Sequence, residues 1–415
     1  MKIALPITSF LPRIGGMEVG VHNLAKNLKE LGHDPIVITS YSIYKELKKN
    51  KIKLPYKVIS FFPRMFYFFE KNKSFGFFFS EKYIKLLQKI YKFDFWHITM
   101  GFPLGVMFIN FSKKNNFHNY TIRCVGEDIQ VNKNLNYGYI LESKNREIIK
   151  NYFPHCNNFI SISKSIYQRY IELGIKTHSI HKIPNGVSVK RFKPLSLNKK
   201  NELRKKNGIS HKTSVFITLG RNHVKKNYKF LIKLITIMKK KKMDFKFLIV
   251  GQGVNKLKSE IGSENLSNQI ILIDTYKNSL TNETEFPSSK IINYLLISDF
   301  FIFPSVLESF GVVIIEAMAA GLPIIANDVP GSKDLITNKK TGFLFKRIND
   351  TESYIKKIQL LVTNKQLVSK MRLNCIKESR KYDWEKVCST YLNLYETIIE
   401  RNNKKQMKLN IMKEY

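Results

Sequence analysis

The sequence predicts an α/β protein made of two doubly wound domains, each built on a parallel sheet. Three observations predict it. At 415 residues the chain is longer than one hydrophobic core ordinarily serves. Short apolar runs alternate with stretches of helical period in both halves, which is the rhythm of β–α–β units. Between the halves, near Pro194–Lys206, a lysine-rich stretch lacks an apolar period and reads as the hinge. The expected division is therefore 1–193, 194–383 and a closing helical segment over 384–415.

The first half opens with a strand over Lys2–Ile7 and a loop to Gly16. A helix over Val19–Leu31 follows, with Val21, Leu24, Ala25, Leu28 and Leu31 at helical spacing. Gly15 and Gly16 precede it. Glycines there let backbone amides approach a ligand, and a helix N-terminus favours anions; a tight turn serving only the fold would use the same pair. Further strands are expected at Ile36–Thr39, Phe95–Thr99, Thr121–Val125, Asn158–Ser163 and Lys182–Gly186. The third of these delivers Gly126, Glu127 and Asp128 to its carboxyl end. In the second half strands are expected at Val215–Leu219, Phe245–Val250, Ile270–Ile273, Phe300–Phe303, Pro323–Ala326 and Gly342–Phe345. Helices are expected at Tyr228–Met238 and Ile291–Ile297, with the polar stretch Asn278–Ser289 as an inserted loop. Trp384–Glu400 reads as one amphipathic helix, and the polar residues after it are expected to fray.

Composition narrows the function classes. Hydrophobic residues make up 43% of the chain, as in a globular protein, and no apolar run is long enough to span a bilayer. The four cysteines form no C-x-x-C pair and read as reduced thiols of a cytoplasmic protein. The nine histidines show no metal-binding spacing, so no metal is expected. The net charge is +38. No nucleic-acid-binding motif accompanies it, which argues against that partner. The excess suits either a surface that drifted to lysine or attraction to an anionic membrane face. The run FFPRMFYFFEKNKSFGFFF over 61–79 fits a regular strand or helix badly, and serves either a core or an exposed aromatic-basic surface facing a membrane or an apolar acceptor.

The stretch PSVLESFGVVIIEAMAAGLPII over 304–325 carries the chemistry. It follows the buried strand Phe300–Phe303 and places Glu308 on a loop at that strand's carboxyl end, where open α/β sheets bind ligands. Gly311 ends the loop and Gly321 caps the helix after it. Glu316 falls within VVIIEAMAA, apolar nearly all round, so its carboxylate is expected to be buried and to need a donor. That donor is either an internal group or a ligand diol such as a ribose. In the same half, Arg221 and Lys226 stand on the loop after Val215–Leu219, just ahead of a helix. Two cations there suit a diphosphate. Cations for a diphosphate together with a carboxylate for a ribose describe a nucleotide-diphosphate site.

With these residues in place the chain resembles the retaining glycosyltransferases of family 4, which have the GT-B architecture of two Rossmann-like domains facing a cleft. The resemblance rests on Gly15-Gly16, IPNGV at 183–187, Arg221 with Lys226, the turn Gly251–Gly253, PS-x-x-ES-F-G, and the E-x7-E pair Glu308 and Glu316. It implies that Glu316 holds the ribose hydroxyls and that Arg221 and Lys226 neutralise the leaving diphosphate. Glu308 would lie beside the donor sugar. The amides around Phe310, Gly311 and Val312 would contact sugar or phosphate, with Gly251 in the donor site and Gly16 approaching from the first domain. The segment from Trp384 would cross back onto that domain. Two departures stand out. Where many relatives carry histidine before the glycine of an H-G-x-D stretch, this chain has Val125, leaving Arg123, Glu127 and Asp128 as acceptor-side candidates. After IPNG stands Val187-Ser188 in place of Val-Asp.

The resemblance implies a metal-independent hexosyltransferase that needs no cofactor beyond its UDP-, GDP- or ADP-sugar substrate. The expected acceptor is a glycan or lipid-linked glycan in cell-surface polysaccharide synthesis, and the expected place is the cytoplasm or the inner face of the plasma membrane. A sugar-nucleotide epimerase and a non-catalytic membrane-associated subunit are the rivals. Intact Glu308, Glu316, Arg221 and Lys226 argue against the second.

Overall fold

The structure, a computed structural model, describes residues 1–275 and 284–414, the side chains of 409–414 excepted. The chain divides into two compact units, Met1–Asn185 with Trp384–Tyr415, and Gly186–Asp383. Each is a Rossmann-like α/β unit.

The first unit carries a seven-stranded parallel sheet. Its strands are β1 (Lys2–Pro6), β2 (Asp34–Thr39), β3 (Lys57–Ser60), β4 (Phe95–Thr99), β5 (Tyr120–Arg123), β6 (Phe159–Ser161) and β7 (Ile180–Lys182). They lie in the order β3-β2-β1-β4-β5-β6-β7, with Ala4 opposite Ile36 and Trp96. The central strands β4 and β5 are fully buried and β1 is buried from Ile3 onward, as expected of a sheet covered on both faces by crossover helices. β3 was not legible in the sequence because it is a short edge strand whose residues are half-buried.

The helix Trp384–Glu414 belongs to this unit although it comes last in sequence. Tyr395 stacks on Phe95 at 4.3 Å and shares a 2.9 Å hydrogen bond with His97 Nδ1. Arg401 and Asn402 donate to the side chains of Asn158 and Asn119 at 3.1 and 2.8 Å. These contacts carry the helix well beyond Glu400, and it runs to Glu414 where composition led us to expect fraying.

The second unit carries six parallel strands, β8 (Ser214–Leu219), β9 (Phe245–Gly251), β10 (Ile270–Asp274), β11 (Phe300–Phe303), β12 (Ile324–Asn327) and β13 (Gly342–Phe345), in the order β10-β9-β8-β11-β12-β13. The order reverses direction between β8 and β11, whose pairing sets Phe300 against Phe216. Such a reversal opens a crevice at the strands' carboxyl ends. The core on one face joins Phe216, Phe247, Ile249, Leu231, Ile235, Ile302 and Tyr354.

Two expectations fail here. Pro194–Lys206 is not a hinge: Leu197–Lys206 is a helix of the second unit, capped by Ser196 Oγ, which accepts from Lys199 N at 3.3 Å. Its inward residue is Arg204, whose guanidinium donates to Ile297 O and to Asp299 at 2.8 and 2.7 Å. A buried arginine leaves no apolar period to read. The chain passes between the units at Asn185 and Gly186, and again at Asp383 and Trp384. The aromatic run Phe61–Phe79 is helical after all, as Met65–Lys71 and Lys73–Tyr91. Of the polar stretch Asn278–Ser289, residues through 283 lie outside the described residues, and Ser289 opens the helix Ser289–Ile297. No helix among the described residues is long and apolar enough to cross a membrane.

Candidate functional site

The carboxyl ends of β8, β9 and β11 hold the residues that the sequence singled out. The loop after β8 runs from Gly220 to Asn227, and the helix Tyr228–Lys240 follows. Asn227 turns the chain into that helix with φ 55°, and its side chain donates to Pro304 O at 3.3 Å and to Asn349 at 2.9 Å. Val306 N donates back to Lys225 O at 2.9 Å, so this loop and the one after β11 are stitched together. The outcome is one ion pair: Lys226 Nζ lies 2.7 Å from Glu308 Oε2, with both side chains one-fifth exposed. The same ammonium sits 4.7 Å from the centre of the Phe303 ring.

Glycines set the backbone around this pair. Gly251 ends β9 with φ 158°, and a Cβ there would overlap Gly220 O. Gly331, at φ 86°, passes 2.9 Å from Glu308 O measured from the place a Cβ would take. Gly311, at φ 93°, caps the helix Val312–Ala319 and packs beside the Glu308 stem. Phe310 is buried edge-on against Tyr382 at 5.9 Å. Arg221 lies exposed on the loop after β8 and makes no hydrogen bond or ion pair among the described residues. Burial lowers the pKa of His223 on this loop, and the nearby cations Lys225, Arg221 and Lys226 lower it further. The loop is thus a positive field at a strand's carboxyl end.

Glu316 is buried on the helix Val312–Ala319, as the sequence led us to expect. Burial pushes its pKa up to about 7, and the Arg191 guanidinium pulls the other way. No hydrogen-bond donor reaches it among the described residues. A buried carboxyl of this kind stays ready for a donor.

The sequence reading missed three supports. Asn327, at the end of β12, donates to Pro304 O and Ser305 O at 2.8 and 3.2 Å and accepts from Tyr354 OH at 3.0 Å, pinning the Glu308 loop. Arg191 and Gly331 are the others. Only Gly331 left a signal, a glycine in a turn after a strand.

The first unit holds the remaining candidates. Gly15 and Gly16 open the helix Gly16–Glu30, which has Glu18 in its first turn. The acceptor-side group separates into three fates. Asp128 is buried and accepts from the amides of Gly101, Val125 and Gly126 at 2.6, 3.0 and 2.8 Å. Burial raises its pKa while those amides pull it back. Asp128 therefore shapes the loop after β5 and is not free to meet an acceptor. Arg123 is also buried; it donates to Asn185, the last residue of the first unit's leading segment. Glu127 is exposed and lines a cavity of about 370 Å³ with Asn136, Gly138, Tyr139, Leu141, Glu142 and Asn145.

Residues 14–191 match the family Glycosyltransferase Family 4, and residues 199–382 match Glycosyl transferases group 1. The chain is a family 4 glycosyltransferase of GT-B fold. This glycosyltransferase is 27% identical to the alpha-monoglucosyldiacylglycerol synthase of Acholeplasma laidlawii, over 98% of this chain and 99% of that one. It is similar in structure to a glycosyltransferase from Rickettsia africae ESF-5, with a TM-score of 0.74 at 23% identity, covering 96% of this chain and 98% of the other. It is likewise similar to Anabaena Alr3699/HepE in complex with UDP, with a TM-score of 0.73 at 18% identity, covering 96% of this chain and 100% of the other.

Proposed function

We propose that this glycosyltransferase moves a sugar from a nucleotide-diphosphate sugar to a lipid or lipid-linked glycan acceptor with retention of anomeric configuration, in the building of cell-surface glycolipid or polysaccharide. The observation that carries the donor reading is the Lys226–Glu308 pair on a positive loop, in the unit where Glu316 waits buried without a donor. A ribose diol supplies the hydrogen bonds Glu316 lacks, and the two cations Arg221 and Lys226 meet the diphosphate. Phe310, Gly311 and Val312 bring the start of an eight-residue helix to the sugar or phosphate. Gly251 lets the β9 turn close against Gly220.

Leaving-group stabilisation does most of the chemistry. As the bond from the anomeric carbon to the diphosphate oxygen breaks, negative charge collects on the phosphates. Lys226 is already held in place by Glu308, so little reorganisation is needed when that charge forms. The acceptor hydroxyl attacks from the face the diphosphate leaves, forming the new glycosidic bond, and its proton passes to a departing phosphate oxygen. Of the acceptor-side candidates, Glu127 keeps an open face for the acceptor. The lipid acceptor is supported by similarity to a glycolipid synthase over nearly the whole chain. The charge of +38 supports residence at an anionic membrane face.

The test is transfer itself. Labelled UDP-, GDP- and ADP-sugars are offered with a membrane lipid extract, and the anomeric configuration of the product is read by NMR. Retention supports the reading, and an inverted product refutes it. Sugar-nucleotide turnover that needs no acceptor supports the epimerase instead.

A further inference from the structure

The aromatic run 61–79 is divided between two faces. Helices Met65–Lys71 and Lys73–Tyr91 pack against each other at Gly76, where a Cβ would overlap the backbone of Phe69. On the inner side Phe61, Met65, Phe69, Ile84 and Leu87 are buried. The outer side stays open. Phe62, Tyr67, Phe75 and Phe78 are 43%, 51%, 47% and 53% exposed, and Leu86 and Ile90 extend the patch along the second helix. The spacing of Phe75, Phe78, Phe79, Lys82, Leu86 and Ile90 puts them on one helix face.

This surface is built rather than incidental. Phe79 lies edge-on to Phe62 at 4.8 Å and to Phe68 at 5.6 Å, and Phe68 meets Phe75 at 5.4 Å. The rings thus support one another in fixed positions. Lysines stand among them: Lys71 lies 5.9 Å from the Tyr67 ring and Lys82 5.6 Å from the Phe78 ring, with Lys85 and Lys89 exposed nearby. Glu81, a carboxylate on the same helix, is turned to Lys114 at 3.1 Å. Other exposed large apolar side chains, such as Leu31, Leu197 and Leu373, are scattered along the chain. Clustered apolar surface of this kind marks an interaction site.

We propose that this helical hairpin docks the enzyme on the headgroup layer of an anionic lipid bilayer. Phe62, Tyr67, Phe75 and Phe78 enter the interface, and the lysines meet lipid phosphates. The inference deepens the lipid-acceptor reading and rests on it. Charge complementarity selects the occupant, because a second copy of the chain would set the same lysines against one another. Continuity supports it too. Phe69 touches Phe102 at 5.8 Å, and Phe102 touches Tyr139 at 5.4 Å in the wall of the cavity beside Glu127. A lipid headgroup lifted from the docked surface would find that cavity within the same unit.

The experiment is flotation of the purified full chain with vesicles of phosphatidylcholine alone or mixed with phosphatidylglycerol, at low and high salt. The wild type is expected to float with anionic vesicles and to keep a fraction bound at high salt. Phe75→Ser with Phe78→Ser should lose that salt-resistant fraction. Lys82→Glu with Lys85→Glu should lower low-salt binding by about fivefold for each lysine. Both variants should keep the wild-type melting temperature and turnover on a detergent-dispersed acceptor. No flotation with anionic vesicles at low salt overturns the proposal, as does a phenylalanine variant that floats like the wild type. Self-association that the phenylalanine variant abolishes, without vesicle binding, overturns it in favour of a second copy. A wild type that floats but transfers no sugar refutes the transferase reading alone; one that transfers to dispersed acceptor but never floats refutes the docking alone.

Discussion

Replacing Glu316 with glutamine separates a ligand-binding carboxylate from a structural one. Burial lifts this carboxyl from an ordinary value of 4.5 to about 7, which corresponds to about 3 kcal/mol. The sign follows from which state holds the proton. Below about pH 4.5 the group is protonated in folded and unfolded chains alike, and wild type and Glu316→Gln should melt together. As pH rises from about 4.5 to about 7 the unfolded chain ionises while the folded carboxyl stays protonated, so the folded wild type loses stability that the glutamine variant keeps, and the loss is complete above 7. At pH 8 the empty variant should therefore be the more stable by up to about 3 kcal/mol, or roughly 6–12 °C for a unit of this size. Nucleotide binding should move the opposite way. A charge-assisted hydrogen bond contributes about 1.5–3 kcal/mol, so losing the carboxylate should weaken the bare nucleoside diphosphate by roughly 10–100-fold. Thermal melts from pH 4.5 to 8 and titration calorimetry with UDP, GDP and ADP read both effects. A variant less stable than wild type at pH 8, with unchanged affinity for whichever nucleotide the wild type binds, would refute the assignment.

Three further outcomes are expected. Lys226→Ala should lower kcat by about 10²–10³ while changing donor affinity less, because one preorganised cation is lost where charge develops; steady-state kinetics with saturating donor decide it. Gly251→Ala should disrupt the turn after β9, since its Cβ would overlap Gly220 O, and the loss should appear as a lowered melting temperature in parallel with weakened nucleotide binding. Tyr395→Phe should lower stability by about 1 kcal/mol through the hydrogen bond to His97, measured by denaturant unfolding, with kcat unchanged.

Much of the fold could be read because a parallel sheet covered on both faces needs continuous apolar strands. Phe300–Phe303 and Phe245–Val250 advertise themselves in that way. One cause of what stayed hidden is an element whose inner face is not apolar. Leu197–Lys206 turns Arg204 inward, and its helix is legible only from the Ser196 cap. The phenylalanine run hid two helices for the opposite reason, since apolar residues on both faces erase the period. Only Gly76, needed for the close crossing, marks where the pair meets. At the site, the pairing of Lys226 with Glu308 depends on two loops far apart in sequence, tied by Asn227, Asn327 and the Val306 amide. Residue type predicted both partners but not their contact. Nor could spacing tell that Asp128 turns in to three amides while its neighbour Glu127 turns out.

The central claim is that the Lys226–Glu308–Glu316 constellation serves a nucleotide-diphosphate sugar during transfer. The most direct measurement follows labelled sugar and released nucleoside diphosphate together, for wild type and Lys226→Ala, with and without lipid acceptor. The account expects wild type to release one nucleoside diphosphate for each sugar that enters lipid, only when acceptor is present, and Lys226→Ala to be slower by about 10²–10³. Equal rates in the two proteins, or release that never depends on the acceptor, would contradict it.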